Sequence, residues 1–115
     1  MKLTHHRIDY IEFTVSDMAA TKAFYGSVFG WTFNDYGPGY VGIRDGDGEL
    51  GGFALGEVTP GGPLIVLFSD NLDATEKSIA DNGGTIVKAA FEFPGGRRFE
   101  FTDPSGNRLA VWSTS

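Results

Sequence analysis

Between residues 8 and 15 apolar or β-branched side chains fall on both parities (Ile8, Tyr10, Ile11, Phe13, Thr14, Val15). That is the pattern of a strand buried on most of both faces, with Glu12 the exception after Asp9. The spacing then lengthens to three and four residues, with Ala20, Phe24 and Val28 on one stripe and Ala23 and Tyr25 beside it, which predicts a helix. Ser16 or Asp17 is placed to cap its first-turn amides, and Gly30 suits the left-handed position past its end. Three strand-like runs follow, Trp31–Tyr36, Tyr40–Arg44 and Gly51–Leu55, separated by Gly37-Pro38-Gly39 and Asp45-Gly46-Asp47-Gly48. Both separators are strong turn signals.

The same order then recurs. Leu64–Phe68 reads as a buried strand, Asn71 as a cap, and Leu72–Asn82 as a helix carrying Leu72, Thr75 and Ile79 inward. Gly83-Gly84 stops that helix, and Thr85–Ala90, Arg97–Thr102 and Arg108–Ser113 read as strands, the last two joined by Asp103-Pro104-Ser105-Gly106-Asn107. The segment from Val15 to Thr21 is echoed by Ser69 to Thr75, so corresponding positions in the two copies can be compared directly. The expected fold is α+β, with two β-α-β-β-β modules at about 1–58 and 62–115 and a linker ending in Pro60-Gly61-Gly62-Pro63. A chain of 115 residues is short for two independent cores, which predicts a single domain with one shared core.

Composition narrows the function. A net charge of −6 repels a phosphate backbone, and the one basic pair, Arg97-Arg98, does not offset it, so no nucleic-acid partner is expected. The absence of cysteine excludes disulfides, zinc–thiolate sites and cysteine nucleophiles. No apolar run is long enough to span a bilayer and the N-terminus lacks a signal-peptide pattern, so the expected location is cytoplasmic, with no membrane partner. Ten Phe, four Tyr and two Trp are unusually many; most are expected simply to fill the core, and several are candidates to line an apolar pocket.

Three segments together carry a resemblance: Ile8 to Asp17, Ala23-Phe24-Tyr25-Gly26-Ser27-Val28-Phe29-Gly30-Trp31, and Gly96-Arg97 followed by Asp103-Pro104-Ser105-Gly106. With Gly83-Gly84 in register, they resemble the glyoxalase / bleomycin-resistance / extradiol-dioxygenase (vicinal oxygen chelate) superfamily. The resemblance implies that the two modules curl into an open cup of mixed sheet, commonly completed in a homodimer. It also implies, in metal-dependent members, a ligand on the first and last strand of each module. Carried onto this chain, those four places fall on Tyr10, Leu64, Ala110 and the stretch Gly51-Gly52-Phe53. None offers the imidazole or carboxylate donors that divalent-metal catalysis requires. Glu49 is the nearest carboxylate to the last of them, but a register slip would be needed to flip its side chain into place.

The expectation is therefore a protein without metal or other cofactor that binds a small apolar or aromatic molecule, with Tyr10, Glu12, Phe53, Arg97 and Trp112 as ligand-binding residues. Glu12 shares a strand face with Tyr10 and is the candidate catalytic base; Arg97 is the candidate anchor for a ligand carboxylate. The alternative is a glyoxalase-like lyase or isomerase, either metal-dependent or using Glu12 as base. Glu100 shares a face with Arg98 and reads as one half of a cross-strand pair. His5 and His6 are adjacent on a segment expected to be extended, which would point them apart. The glycine-rich stretches lack phosphate-loop spacing, and no Ser/His/Asp set is available.

Overall fold

The computed structural model describes residues 4–6, 8–59 and 61–115, which form two compact units, Met1–Thr59 and Pro60–Ser115. In the first, strand β1 (Ile11–Val15) leads into helix α1 (Met18–Phe29), followed by β2 (Phe33–Asp35), β3 (Tyr40–Asp45) and β4 (Gly48–Leu55). The sheet order is β1-β4-β3-β2, with β1 parallel to β4 and the other pairs antiparallel. Asp17 caps α1 by accepting from the Ala20 amide at 2.9 Å, and Gly30 closes it at φ 73°, a backbone conformation that costs glycine nothing. Tyr25 lies 4.8 Å from Trp31 and 5.0 Å from Phe53, ring to ring, so α1 covers the sheet face that carries Phe13, Phe33 and Phe53. The inward stripe is Thr21, Phe24 and Tyr25; Ala23, expected to help form it, is exposed.

β4 begins three residues earlier than the periodicity predicts. Gly46, at φ 58°, lets β3 reverse into it, and Asp45 pairs with Gly48. The register then breaks: Arg44 opposes Glu49 whereas Ile43 opposes Gly51, leaving Leu50 as the extra residue of a β-bulge. One extra residue inverts side-chain parity beyond it, so Glu49 and Gly52 look out from the same face.

The second unit repeats the plan with β5 (Ile65–Phe68), α2 (Leu72–Asp81), β6 (Thr85–Phe93), β7 (Gly96–Thr102) and β8 (Arg108–Ser113) in the order β5-β8-β7-β6. Asn71 caps α2 through the Ala74 amide at 3.1 Å, as Asp17 does for α1. Leu72 and Ile79 are buried with Phe99, Phe101, Leu109 and Val111. Thr75 is half-buried, its hydroxyl 2.7 Å from that of Ser69. β6 runs three residues past its predicted end, and two register shifts absorb the added length. Asp103 fixes the last turn by accepting from the amides of Ser105 and Asn107, both at 2.9 Å. Among the described residues no helix is long and apolar enough to cross a membrane.

Candidate functional site

In each unit one sheet face is turned away from its helix, and these two faces carry the polar chemistry. On the first, β1 contributes Tyr10 just before its start and Glu12, β2 contributes Asn34 with Tyr36 just past its end, and β3 contributes Tyr40 and Arg44. The bulge delivers Glu49 from β4. The hydroxyls of Tyr10 and Tyr40 are 2.7 Å apart, and Tyr10 also reaches Glu49 Oε1 at 3.4 Å. Glu49 Oε2 accepts from Asn34 Nδ2 at 3.0 Å and from the Tyr36 hydroxyl in a short hydrogen bond. Arg44 Nε donates to Asn34 Oδ1 at 3.0 Å and so aims the amide nitrogen at the carboxylate.

The electrostatics follow from this wiring. Hydrogen bonds from Tyr36 and then Asn34 hold the Glu49 carboxyl below its usual pKa. The bond to Glu49 in turn raises the Tyr36 phenol. Burial, followed by hydrogen bonding to Tyr10 and Glu12, pushes Tyr40 further up. With Tyr36 donating to Glu49, Tyr40 toward Glu12 and Tyr10 toward Tyr40, each phenolic proton is engaged inside the cluster. Apart from the exposed Arg44 guanidinium, what faces outward is a set of lone pairs and aromatic rings, which receives a hydrogen-bond donor better than an acceptor.

The equivalent face of the second unit is different. Phe68, Trp112 and Phe93 form a ring cluster with centroids 5.2 and 6.2 Å apart. Beside it Glu100 accepts from Arg108 Nη2 at 2.7 Å and from Arg98 at 3.3 Å; the Arg108 bond, then the charges of Arg108, Arg98 and Lys88, hold its carboxyl below the usual range against burial. Arg98 and Lys88 both lie over the Phe91 ring, at 5.4 and 4.4 Å.

Of the residues expected in a site, Tyr10 and Glu12 come together around Tyr40, and Trp112 lies on the open face of the second unit. Two placements correct the sequence reading. Phe53 is fully buried between Phe13, Tyr25 and Trp31, so it is a core residue under α1 and not a pocket wall. Arg97 shares the parity of the buried Phe99 and Phe101; it reaches Asp73 on α2 at 3.6 Å and donates to the Ser115 carbonyl at 3.0 Å, turned away from the open face. His5 and His6 stack at 3.7 Å, because the chain turns at His6 (φ 65°) where an extended segment was expected.

Asn34, Tyr36 and Glu49 were not among the expected site residues. A signal for them existed in the glycines of β3 and β4, since a face emptied of side chains is one that longer neighbours can cover. Tyr10 does face this site, but Leu64 and Ala110 bring no donor atom, and among the described residues no three His, Cys, Asp or Glu side chains gather. Two carboxylates, one already accepting from Asn34, Tyr36 and Tyr10, do not fit a resident divalent ion.

Mixed four-stranded sheets, each with one covering helix and repeated in a single chain, define an α+β protein of duplicated β-α-β-β-β modules. The Glyoxalase/Bleomycin resistance protein/Dioxygenase superfamily model matches residues 7–111, and the chain belongs to that superfamily. Its fold is that of a glyoxalase-related enzyme from Fulvimarina pelagi, with a TM-score of 0.80 at 20% identity over 94% of this chain and 88% of that one. In sequence it is 32% identical to the anthracycline biosynthesis protein DauV of Streptomyces sp. (strain C5), over 84% of this chain and 42% of DauV. It is 27% identical to CFP32 of Mycobacterium bovis, whose own assignment as a glyoxylase is provisional, over 93% of this chain and 45% of CFP32. The chain thus spans a little under half the length of these relatives.

Proposed function

We propose that this protein binds a small, largely aromatic molecule without a metal ion, and that the Tyr10, Glu12, Tyr36, Tyr40 and Glu49 cluster receives a hydrogen-bond donor on that molecule. The supporting observation is the wiring of the cluster: its phenolic protons are engaged internally, so what the phenols and carboxylates leave to meet a ligand is acceptors and ring faces, with the Arg44 guanidinium beside them. Within the second unit, Phe68, Phe93 and Trp112 form an apolar surface on which a flat ring can stack. A carboxyl held ionised by its donors is a weak base, which favours binding over proton abstraction by Glu49. The biosynthetic role in DauV's name is compatible with a protein that holds an aromatic intermediate.

A homodimer belongs to the same proposal, since β5 is an edge strand that exposes Leu64, Val66 and Phe68. Titrating benzylamine, benzyl alcohol and benzoate while following side-chain NMR shifts tests the reading. Shifts at Tyr36, Tyr40 and Glu49 strongest for benzylamine are expected, and a preference for benzoate would overturn it. Retention of about one divalent ion per chain after dialysis would overturn the metal-free part and restore the enzyme alternative. Sedimentation of a monomer at all concentrations would remove the dimer.

A further inference from the structure

The glycines of β3 and β4 are not equivalent. Gly51, Gly42 and Gly52 all lie in strands with no positive φ to require glycine, so the reason for each must be sought in space. A Cβ on Gly51 would overlap the carbonyl oxygen of Ile11 and come within 3.2 Å of its carbonyl carbon. That is backbone of the paired strand β1, and it cannot move without breaking the ladder. The three atoms nearest a Cβ on Gly42 would all belong to the Glu49 carboxyl group, which it would overlap. One on Gly52 would overlap the Tyr40 hydroxyl and lie 2.6 Å from that of Tyr10. The nearest obstruction at Gly42 and Gly52 is therefore the far end of cluster side chains, where at Gly51 it is sheet backbone.

The duplicated module supplies an internal control. The caps Asp17 and Asn71 align the repeats, so Glu12 corresponds to Val66. Across from Glu12 stand Gly52 and then Gly42; across from Val66 stand Ala110 and then Glu100. The second unit accommodates an alanine and a glutamate where the first has two glycines. The module's architecture does not call for glycine at either place.

We infer that Gly42 and Gly52 are positioning residues of the candidate site: paired across β3 and β4, they form a bare slot on which the Glu49 carboxylate and the Tyr40 phenol lie flat. The slot holds the hydroxyls of Tyr10 and Tyr40 at 2.7 Å and keeps Glu49 low enough for Asn34 and Tyr36 to reach it. A methyl group at either glycine lifts one member off the sheet and opens the network. The inference rests on the proposed site, but it can be tested without any ligand.

Four tyrosines make phenol titration at 295 nm readable in the intact chain. In Gly52→Ala the Tyr40 step is expected to fall back toward about 10, and in Gly42→Ala the Tyr36 step does the same. Both variants keep their circular dichroism and a Tm within about 3 °C of the parent, whereas Gly51→Ala loses about 10 °C or more. Unchanged phenol titration in Gly42→Ala and Gly52→Ala would overturn the inference. Should Gly42→Ala unfold, Gly42→Ala combined with Glu49→Ala decides: recovery of the fold supports a slot cleared for Glu49, and no recovery overturns it. Absent benzylamine binding by the parent protein would sink the proposed function while leaving the titration result intact.

Discussion

The two units share one backbone plan and cover opposite needs with it. On the open face of the first, phenols, an amide and two carboxylates lie over Gly42 and Gly52. On the open face of the second, Phe68, Phe93 and Trp112 sit beside a carboxylate held by two guanidinium groups. Their polar clusters differ in depth as well as in composition. Glu100 is only 7% exposed and its charge is answered by Arg98 and Arg108, so its pairing bears on stability. Glu49 is held by neutral donors at a wetter surface, so its pairing bears mainly on which protons are available. A duplicated fold thus carries a polar cluster held by neutral donors on one copy and an aromatic cluster beside an ion-paired carboxylate on the other.

The sharpest break of this comparison is in the core of the first unit. Phe53→Ala should cost about 3–5 kcal/mol, measured by chemical denaturation, because the ring is fully buried among three others. A cost under 1 kcal/mol would return Phe53 to a pocket wall. Next, Glu100→Ala should destabilise by about 1–3 kcal/mol, since it leaves Arg98 and the half-exposed Arg108 without their counter-charge. The pH dependence has a definite sign. The Glu100 carboxyl titrates lower in the folded protein than in the unfolded chain, so its contribution is complete above the ordinary carboxylate range and is lost as pH falls through the depressed folded value. Acid unfolding of the parent and of Glu100→Ala should therefore converge at low pH.

Glu49→Gln should leave Tm nearly unchanged and lower the Tyr36 phenol toward its ordinary value, a shift readable by absorbance. Tyr36 and Tyr40 are raised, so what their protonated forms contribute is present below about 10 and lost as pH rises through the folded values. Ligand binding that depends on the cluster should accordingly persist below the ordinary carboxylate value of about 4.5 and above the ordinary phenol value of about 10, and fail only beyond the shifted values on either side. The smallest effect belongs to Asp73→Asn. Its carboxylate is exposed and 3.6 Å from Arg97, so stability should change by no more than about 0.5 kcal/mol. Loss of ligand affinity in that variant would put Arg97 back in the site.

Much of the plan was legible because it is local. Alternating apolar residues, the caps Asp17 and Asn71, Gly30 past the first helix and the Asp103 turn each act over a few residues, and each formed where its own chemistry directs. Arg97 was misplaced although its parity with Phe99 and Phe101 was in plain view; alternation tells which residues share a face, and a covering helix decides which face is open. The same holds for Phe53, whose fate follows from Tyr25 and Trp31 closing over it.

The site itself depended on events that are not local. Glu49 was discounted because its parity is wrong for the open face, and one bulged residue, Leu50, reverses that parity. Bulges arise where the length of one strand between its turns exceeds that of its partner, a mismatch that exists only once the strands pair. The amino-acid sequence by itself determined the duplicated modules, their helices and turns, and a chain without cysteine. Tertiary structure alone decided which faces stay open, where the register slips, and that two glycines thirty-odd ångströms apart along the extended chain meet side by side beneath one carboxylate and one phenol. Periodicity fixes the direction of each side chain relative to its own strand; only packing fixes what it meets.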